Sequence, residues 1–267
     1  MVSAESPDST NRTQPNRVVI LGASNAAIGL YDVISTAHAA WKTPLEIMIA
    51  AGVGRAYSVR SRAGFRSLSS IEQSTLWRAL ADCDSAPTFA LLTDIGNDLV
   101  YGVAVDQVVD SLDKCLSRLV PCCQHIAISA LPVSSLQNIR RWQFFALKTF
   151  LFPLCRLDLR TLLGRAMLLN QQVARLAARY SAHIEKPCST WYGWDPIHYK
   201  KTNRPTAWKK FFSPLVNQTL ESTDNESLKT QLRRHRFRIE QKKMFAFPVH
   251  HRQPTAQLDD GTTISLF

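Results

Sequence analysis

A serine and a distant carboxylate–imidazole pair are the residues whose positions in this sequence indicate chemistry. Ser24 follows the apolar run Val18-Val19-Ile20-Leu21, which predicts a buried strand over 17–22, and Asp195 lies three residues before His198. A serine hydroxyl, an imidazole base and a carboxylate that orients the base together form a nucleophilic set, as in hydrolases. Serine is also an ordinary helix N-cap residue, so Gly22-Ala23-Ser24 alone is more typical of a structural turn than of a catalytic site.

A second strand end carries further polar side chains. The buried run Phe89-Ala90-Leu91-Leu92 leads into Thr93-Asp94-Ile95-Gly96-Asn97-Asp98. The carboxyl ends of parallel strands meet at one edge of a sheet, where open α/β proteins bind their ligands. We therefore expect Ser24, Asn97, Asp195 and His198 to share one crevice although they are far apart in the sequence.

With these residues in place, the chain resembles the SGNH (GDSL-type) hydrolases over about residues 17–200. In that family short blocks carry a Ser, a Gly, an Asn and an Asp-x-x-His in this order. The corresponding blocks here are Gly22-Ala23-Ser24, Gly52-Val53-Gly54-Arg55, Ile95-Gly96-Asn97-Asp98 and Asp195-Pro196-Ile197-His198.

The resemblance implies a serine hydrolase that acts on carboxylic esters through a covalent acyl-enzyme, with neither a metal nor a cofactor. Ser24 would be the nucleophile, His198 the general base and then the general acid, and Asp195 the residue that orients the imidazole. The oxyanion hole would consist of the Ser24 amide, the Gly54 amide and the Asn97 side chain. Asn97 is alternatively an Asx-turn residue, and Asp98 is expected to brace its loop.

The sequence departs from the family pattern at two positions. Ala23 stands where the family has an aspartate, and Ile95 stands where a glycine is usual. In the glycine block either Gly52 or Gly54 can supply the oxyanion amide, and we favour Gly54.

Two other functions are alternatives to ester hydrolysis: a dinucleotide-binding dehydrogenase and a non-catalytic binding protein. The turn after the first strand also resembles the glycine-rich turn of dinucleotide-binding dehydrogenases, but Ser24 and Ala27 occupy the second and third glycine positions of G-x-G-x-x-G. No Tyr-x-x-x-Lys pair occurs in the chain either. The alternative from another class is a non-catalytic binding protein on the same fold, held at anionic membrane or nucleic acid by a basic tail.

Strands and helices alternate along the chain. Apolar periodicity predicts strands over 17–22, 45–51, 88–93 and 124–130, with a short strand near 183–184. Between them it predicts helices over 26–39, 70–82, 104–120 and 162–180. This βαβ alternation indicates a parallel sheet covered on both faces. Together with the resemblance, it predicts an α/β fold: a three-layer, flavodoxin-like, doubly wound parallel sheet in a single catalytic domain.

The domain boundaries follow from composition and charge. The polar residues 1–16 predict a disordered segment, 17–220 the hydrolase domain, and 221–267 a basic, partly disordered tail whose residues 249–267 are poorly ordered. Between Lys200 and Arg252 there are 13 Lys or Arg and four Asp or Glu, so +9 of the formal net charge of +11 lies there. The tail is either a solvated helix face or a contact with an anionic membrane; nucleic acid is a less favoured partner.

The segment 139–169 mixes large apolar side chains, Phe144 and Phe145 among them, with arginines. It predicts either two amphipathic helices over the core or a pocket wall that binds an acyl chain or a membrane surface. The six cysteines form no Cys-x-x-Cys pair, and Cys122 and His125 have no second pair nearby, so a metal site is not expected. With no apparent signal peptide or spanning helix, a cytoplasmic location is expected.

Overall fold

Short runs of Val, Ile, Leu and Phe form the central strands, because such side chains suit a buried pleated surface. The computed structural model describes residues 14–41, 43–63, 66–152, 155–216, 220, 226–244 and 247–267. In chain order its strands are β1 Asn16–Leu21, β2 Leu45–Ala50, β3 Ser61–Ala63, β4 Arg66–Leu68, β5 Thr88–Leu92, β6 Cys123–Ser129, β7 His183–Glu185, β8 Gln241–Met244, β9 Phe247–His250, β10 Ala256–Gln257 and β11 Thr263–Leu266.

The helices bury one apolar stripe each. Val105, Val108 and Leu112 follow the three-to-four-residue spacing of such a stripe and are buried. Asp158 begins the longest helix, because its carboxylate accepts a hydrogen bond from the Thr161 amide at 2.8 Å. The helices are α1 Ser24–Ile28, α2 Leu30–Ala40, α3 Leu76–Ala81, α4 Asn97–Val100, α5 Val105–Leu119, α6 Val133–Gln137, α7 Arg141–Leu151, α8 Leu159–Arg179, α9 Arg204–Val216 and α10 Glu226–Arg234.

The central sheet, within the described part of the chain, has seven strands in the order β10-β11-β2-β1-β5-β6-β7. The five strands β2-β1-β5-β6-β7 are all parallel. Counted in chain order they read 2-1-3-4-5, which is the flavodoxin-like order. The predicted fold class is therefore confirmed.

The sheet separates two apolar clusters. Val19 and Leu21 pack in one cluster and Val18 and Ile20 in the other, because successive side chains of a strand point to opposite faces. Helices α5 and α8 contribute to the first cluster, and α2 and α9 contribute to the second. The result is the predicted three-layer arrangement.

A second, antiparallel sheet was not predicted. The described residues form it from four short strands in the order β3-β4-β8-β9. Each strand has only three or four residues, and β8 is mostly polar, with Lys242 and Lys243. Such short strands give no periodic signal, and β4 and β8 are far apart in the sequence.

The structure differs from the prediction for residues 221–267. Helix α10 buries Leu228 and Leu232, and β11 pairs with β2 in parallel, with Ile264 fully buried. The domain therefore extends beyond residue 220, and 256–266 belong to the central sheet, because these side chains complete an apolar face that β2 alone leaves open. Residues 221–225, and residues 1–13 of the predicted N-terminal segment, lie outside the described residues.

No helix in the described ranges is both long enough and apolar enough to cross a bilayer. A cytoplasmic location stays a prediction.

The role of β11 in the core leads to a stability prediction. We expect Ile264→Ala to lower the free energy of unfolding by about 2–5 kcal/mol, because a fully buried side chain is removed from the central sheet. Urea denaturation measures this loss. Ser265→Ala, on the same strand and half-buried, serves as the control and should change the free energy by about 0.5 kcal/mol or less. Equal unfolding midpoints for both variants would contradict the placement of β11.

Candidate active site

Ser24 is the first residue of α1, directly beyond the end of β1. The turn between them is tight, because a Cβ at Gly22 would lie 2.9 Å from the Thr93 methyl carbon at the end of β5. The Asp94 carboxylate accepts hydrogen bonds from the amides of Ala23, Asn25 and Ala26 at 2.9, 2.9 and 3.2 Å. A carboxylate on the amides of a first helical turn is favourable. It fixes the turn that presents the Ser24 side chain.

The structure brings Ser24, His198 and Asp195 into one hydrogen-bonded chain. The Nε2 atom of His198 lies 2.9 Å from Ser24 Oγ, and its Nδ1 atom lies 2.6 Å from Asp195 Oδ2. The other carboxylate oxygen of Asp195 accepts hydrogen bonds from the amides of Ile197 and His198. The carboxylate therefore holds both the imidazole ring and the turn that carries it.

Electrostatics in this chain favour a charged imidazole. Burial lowers the pKa of His198, but the hydrogen bond and negative charge of Asp195 outweigh burial, so the pKa is raised above its ordinary value. Burial raises the pKa of Asp195, but the His198 partner and two backbone amides lower it by more, so the net direction is downward. Asp195 is thus suited to stabilise an imidazolium.

Asn25 and Asp94 connect the parts of the site, although neither was predicted to have a role in it. The Asn25 side-chain amide donates to Asp94 Oδ1 at 2.8 Å and to the Ile197 carbonyl at 3.0 Å. Its carbonyl oxygen accepts from the Tyr199 amide at 2.9 Å. Asn25 therefore clamps the turn that contains His198 to the turn that contains Ser24. In the sequence these two residues are visible only as polar residues that follow predicted strands. Their hydrogen-bond partners cannot be identified from the sequence alone.

Asn97 lies beside Ser24, and the structure relates it to the glycine block. Both residues line the same cavity, and the Asn97 amide donates to the Arg55 carbonyl at 2.9 Å. Gly54 precedes Arg55 and has a φ of +73°, where a Cβ would lie 2.9 Å from the Tyr101 hydroxyl oxygen. Among the described residues Gly54 does not line that cavity, so its assignment, like the choice over Gly52, stays a prediction.

Asp98 braces its loop, as expected. Its carboxylate accepts hydrogen bonds from the backbone amides of Tyr57 and Ser58 at 2.9 and 2.8 Å and from the Ser58 hydroxyl at 2.5 Å. The side chain is fully buried. Asp98 therefore ties the start of α4 to the segment that follows the glycine block.

The cavity at Ser24 is largely apolar away from the polar residues. Beyond Ser24 and Asn97 its wall consists mainly of aliphatic and aromatic side chains: Leu99, Val100, Leu131, Leu136, Phe152, Leu162 and Ala166. A second apolar cavity shares five of its lining residues, Phe152 among them, and is closed by Phe144 and Leu147 of α7. Segment 139–169 thus lines this space, but Phe145 is 70% exposed and does not. The two adjacent rings therefore lie on different sides of the helix, one toward the cavity and one toward solvent.

No group of three or more His, Cys, Asp or Glu side chains among the described residues is arranged to hold a metal ion.

Solved structures with a similar fold come from several hydrolases. A carbohydrate acetylesterase family member from Sinorhizobium meliloti is 13% identical with a TM-score of 0.53, and the match covers 76% of this chain and 97% of that one. LAE5, an alpha/beta hydrolase enzyme from the metagenome of Lake Arreo, Spain, is 12% identical with a TM-score of 0.51, over 77% and 96%. A lipolytic protein of the G-D-S-L family from Veillonella parvula is 12% identical, with a TM-score of 0.48, over 73% and 95%.

No protein-family model and no curated protein matches the sequence. The strand order and the similarity to solved structures nevertheless agree. The chain has the fold of the SGNH hydrolases. At 12–13% identity the comparison concerns the fold alone.

The structure shows the surroundings of the two positions that depart from the SGNH pattern. At Ala23 the family's carboxylate is missing, and Asp94 from the neighbouring strand end accepts the Ala23 amide. At Ile95 the larger side chain is buried in the apolar cluster around α5 and α8. Both positions therefore contact neighbouring elements of the fold.

The His198 environment leads to a pH prediction. NMR titration of the imidazole should give a midpoint above 6.5, and Asp195→Asn should lower it, because burial then acts without the carboxylate. Since the folded pKa is raised, charged His198 stabilises the fold fully below the unfolded pKa of about 6.5 and ceases to do so as pH rises through the folded pKa. A midpoint that Asp195→Asn leaves unchanged would contradict this account.

Proposed function

We propose that this protein is a serine hydrolase that cleaves carboxylic esters through a covalent acyl-enzyme. One observation carries the proposal: Ser24, His198 and Asp195 form a continuous hydrogen-bonded chain at the end of an apolar cavity. The SGNH fold and its similarity to esterase structures support it. A non-catalytic binding protein would not need an imidazole held between a carboxylate and a serine hydroxyl.

In the first step Ser24 Oγ attacks the carbonyl carbon of the ester. The proton of the hydroxyl passes to His198 Nε2, which lies 2.9 Å away, while Asp195 stabilises the imidazolium that forms. Positioned proton transfer of this kind is typically worth about 10²–10⁴-fold in rate. The raised pKa of His198 suits it to accept the proton.

The negative oxygen of the tetrahedral intermediate needs donors already in place. Asp94 accepts hydrogen bonds from the amides of the residues on either side of Ser24, and the Ser24 amide would donate to the oxyanion. Asn97 uses one N–H on the Arg55 carbonyl, and its NH₂ group has a second N–H to offer. Gly54 would supply the third donor. Loss of one such donor typically costs about 10²–10³-fold in kcat.

Collapse of the intermediate breaks the bond to the alcohol oxygen. His198 donates its Nε2 proton to that oxygen, so the alcohol leaves and the acyl group stays on Ser24 as an ester. Water then attacks this ester with His198 as base, and the acid and free Ser24 are released. The two steps balance without a co-reactant other than water.

The cavity favours an ester with an apolar acyl chain. Its wall past Asn97 consists of Val100, Leu131, Leu136 and Leu162, and it meets the second cavity at Phe152. Burying one CH₂ in such a wall contributes about 0.8 kcal/mol. We therefore assign the acyl chain to this space and the alcohol to the open side.

The nucleophile assignment predicts selective labelling. A fluorophosphonate probe should label the wild-type protein, and Ser24→Ala should abolish both labelling and hydrolysis of a short soluble ester, because the attacking oxygen is removed. Ser117→Ala, on the exposed face of α5, is the matched control and should behave as the wild type. Mass spectrometry of the labelled peptide locates the adduct. Undiminished labelling of Ser24→Ala would refute the assignment.

The position of Phe152 between the two cavities predicts a change in chain-length preference. Phe152→Ala should raise kcat/KM for esters with acyl chains two carbons longer by about tenfold relative to shorter ones, because the cavities merge and two more CH₂ groups are buried. Phe145→Ala, whose ring points outward, is the control and should keep the wild-type preference. A preference unchanged in both variants would place the acyl chain elsewhere.

A further inference from the structure

Helix α7 is apolar on two opposite faces. Its inner face carries Phe144 and Leu147, which line the second cavity. Its outer face carries Trp142 and Phe145, whose side chains are 59% and 70% exposed. A helix that only covers a core has a polar outer face. Two large exposed aromatic residues on the outer face of one helix therefore indicate a further contact.

A third exposed aromatic residue lies next to the first turn of α7. The Gln143 side chain donates a hydrogen bond to the Trp194 carbonyl, and the Trp194 side chain is 56% exposed. Trp194 immediately precedes Asp195 of the Ser24–His198–Asp195 chain. We call Trp142, Phe145 and Trp194 the aromatic surface. It adjoins the elements that enclose the cavity and carry the imidazole.

The surroundings of the aromatic surface are strongly basic. Residues 139–165 contain six Lys or Arg and one Asp. Arg140, Arg141, Arg156 and Arg160 are exposed, and the one acid, Asp158, caps α8. Arginines beside exposed Trp and Phe on a short amphipathic helix are the chemistry of an interfacial membrane contact. A partner of this surface must therefore offer both negative charge and apolar surface.

We propose that the aromatic surface docks on an anionic lipid bilayer. The basic side chains attract the headgroups, Trp142, Phe145 and Trp194 enter the boundary between headgroups and acyl chains, and α7 lies in the plane of the interface. A bilayer meets both requirements at once, whereas an acidic protein would leave the aromatic rings without a partner. The inner face of the docked helix then lies between the lipid and the cavity that leads to Ser24.

The sequence leaves two places for a membrane contact: segment 139–169, which contains Trp142 and Phe145, and the basic tail. The tail offers its own exposed ring, Phe247, which is 73% exposed on β9, next to β8 with Lys242 and Lys243. Phe247 and Phe145 thus match in residue type and exposure but lie in different parts of the chain. That match makes Phe247 a control that separates the two placements.

The test measures binding of the full chain to vesicles, independently of catalysis. Wild type, the double variant Trp142→Ser/Phe145→Ser and the control Phe247→Ser are sedimented with vesicles of phosphatidylcholine alone or mixed with phosphatidylglycerol. We expect wild type and Phe247→Ser to bind the mixed vesicles and to dissociate as salt rises. The double variant should bind about tenfold or more weakly. Thermal unfolding checks that all three proteins are folded.

Several results would overturn the docking proposal. Loss of binding in Phe247→Ser with retention in the double variant would move the contact to the tail. Absence of binding by wild type at low salt would exclude a lipid partner. A wild-type dimer that the double variant converts to a monomer in ultracentrifugation would identify the aromatic surface as a contact between copies. Because hydrolysis is not the readout, vesicle binding without esterase activity would contradict only the proposed function.

Discussion

The Asp94 carboxylate is the group on which the arrangement of the site depends. It lies just beyond the end of β5 and accepts hydrogen bonds from three backbone amides of the turn after β1. It also accepts a hydrogen bond from the Asn25 side chain. The Asn25 side chain in turn donates a hydrogen bond to the Ile197 carbonyl and accepts one from the Tyr199 amide. Hydrogen bonds to one half-buried carboxylate thus link two strand ends and, through Asn25, a loop distant from both in sequence.

Asp94 occupies an unusual backbone position to do this. Its φ is +58°, in the left-handed region that Asp and Asn enter more readily than other non-glycine residues. Such a conformation costs on the order of 1–3 kcal/mol and persists where surrounding contacts require it. Here the hydrogen bonds to the first turn of α1 are those contacts, so the strain at one strand end fixes the serine at the next.

The sequence predicted the central fold and the meeting of Ser24 with Asp195 and His198 for local reasons. The apolar composition of the runs that form β1, β2, β5 and β6 identifies them as buried strands. The carboxyl ends of parallel strands lie at one edge of the sheet regardless of the segments that connect the strands. Pairing over long separations is different. The partners of β11 and β8 depend on complementarity with elements far away, which no local window contains.

The direction in which a side chain points was the second property that the sequence could not predict. Phe144 and Phe145 are equivalent by residue type, and only the phase of α7 against the cavity decides that one is inside and the other outside. The hydrogen bonds of the Asn25 side chain could not be predicted either, because its partners are two backbone groups of the loop at Ile197 and Tyr199. Backbone groups leave no mark in a sequence.

The span of these contacts determines when the site is assembled during folding. Ser24 and His198 are separated by 174 positions, and the Leu45 amide that binds the Thr262 hydroxyl is 217 positions from it. Contacts between residues so far apart form late, because closing long loops costs entropy before it is rewarded. A partly folded chain with an intact β1 and α1 therefore still lacks its imidazole. Recovery of the Ser24–His198 contact on refolding would mark the completion of the domain rather than its collapse.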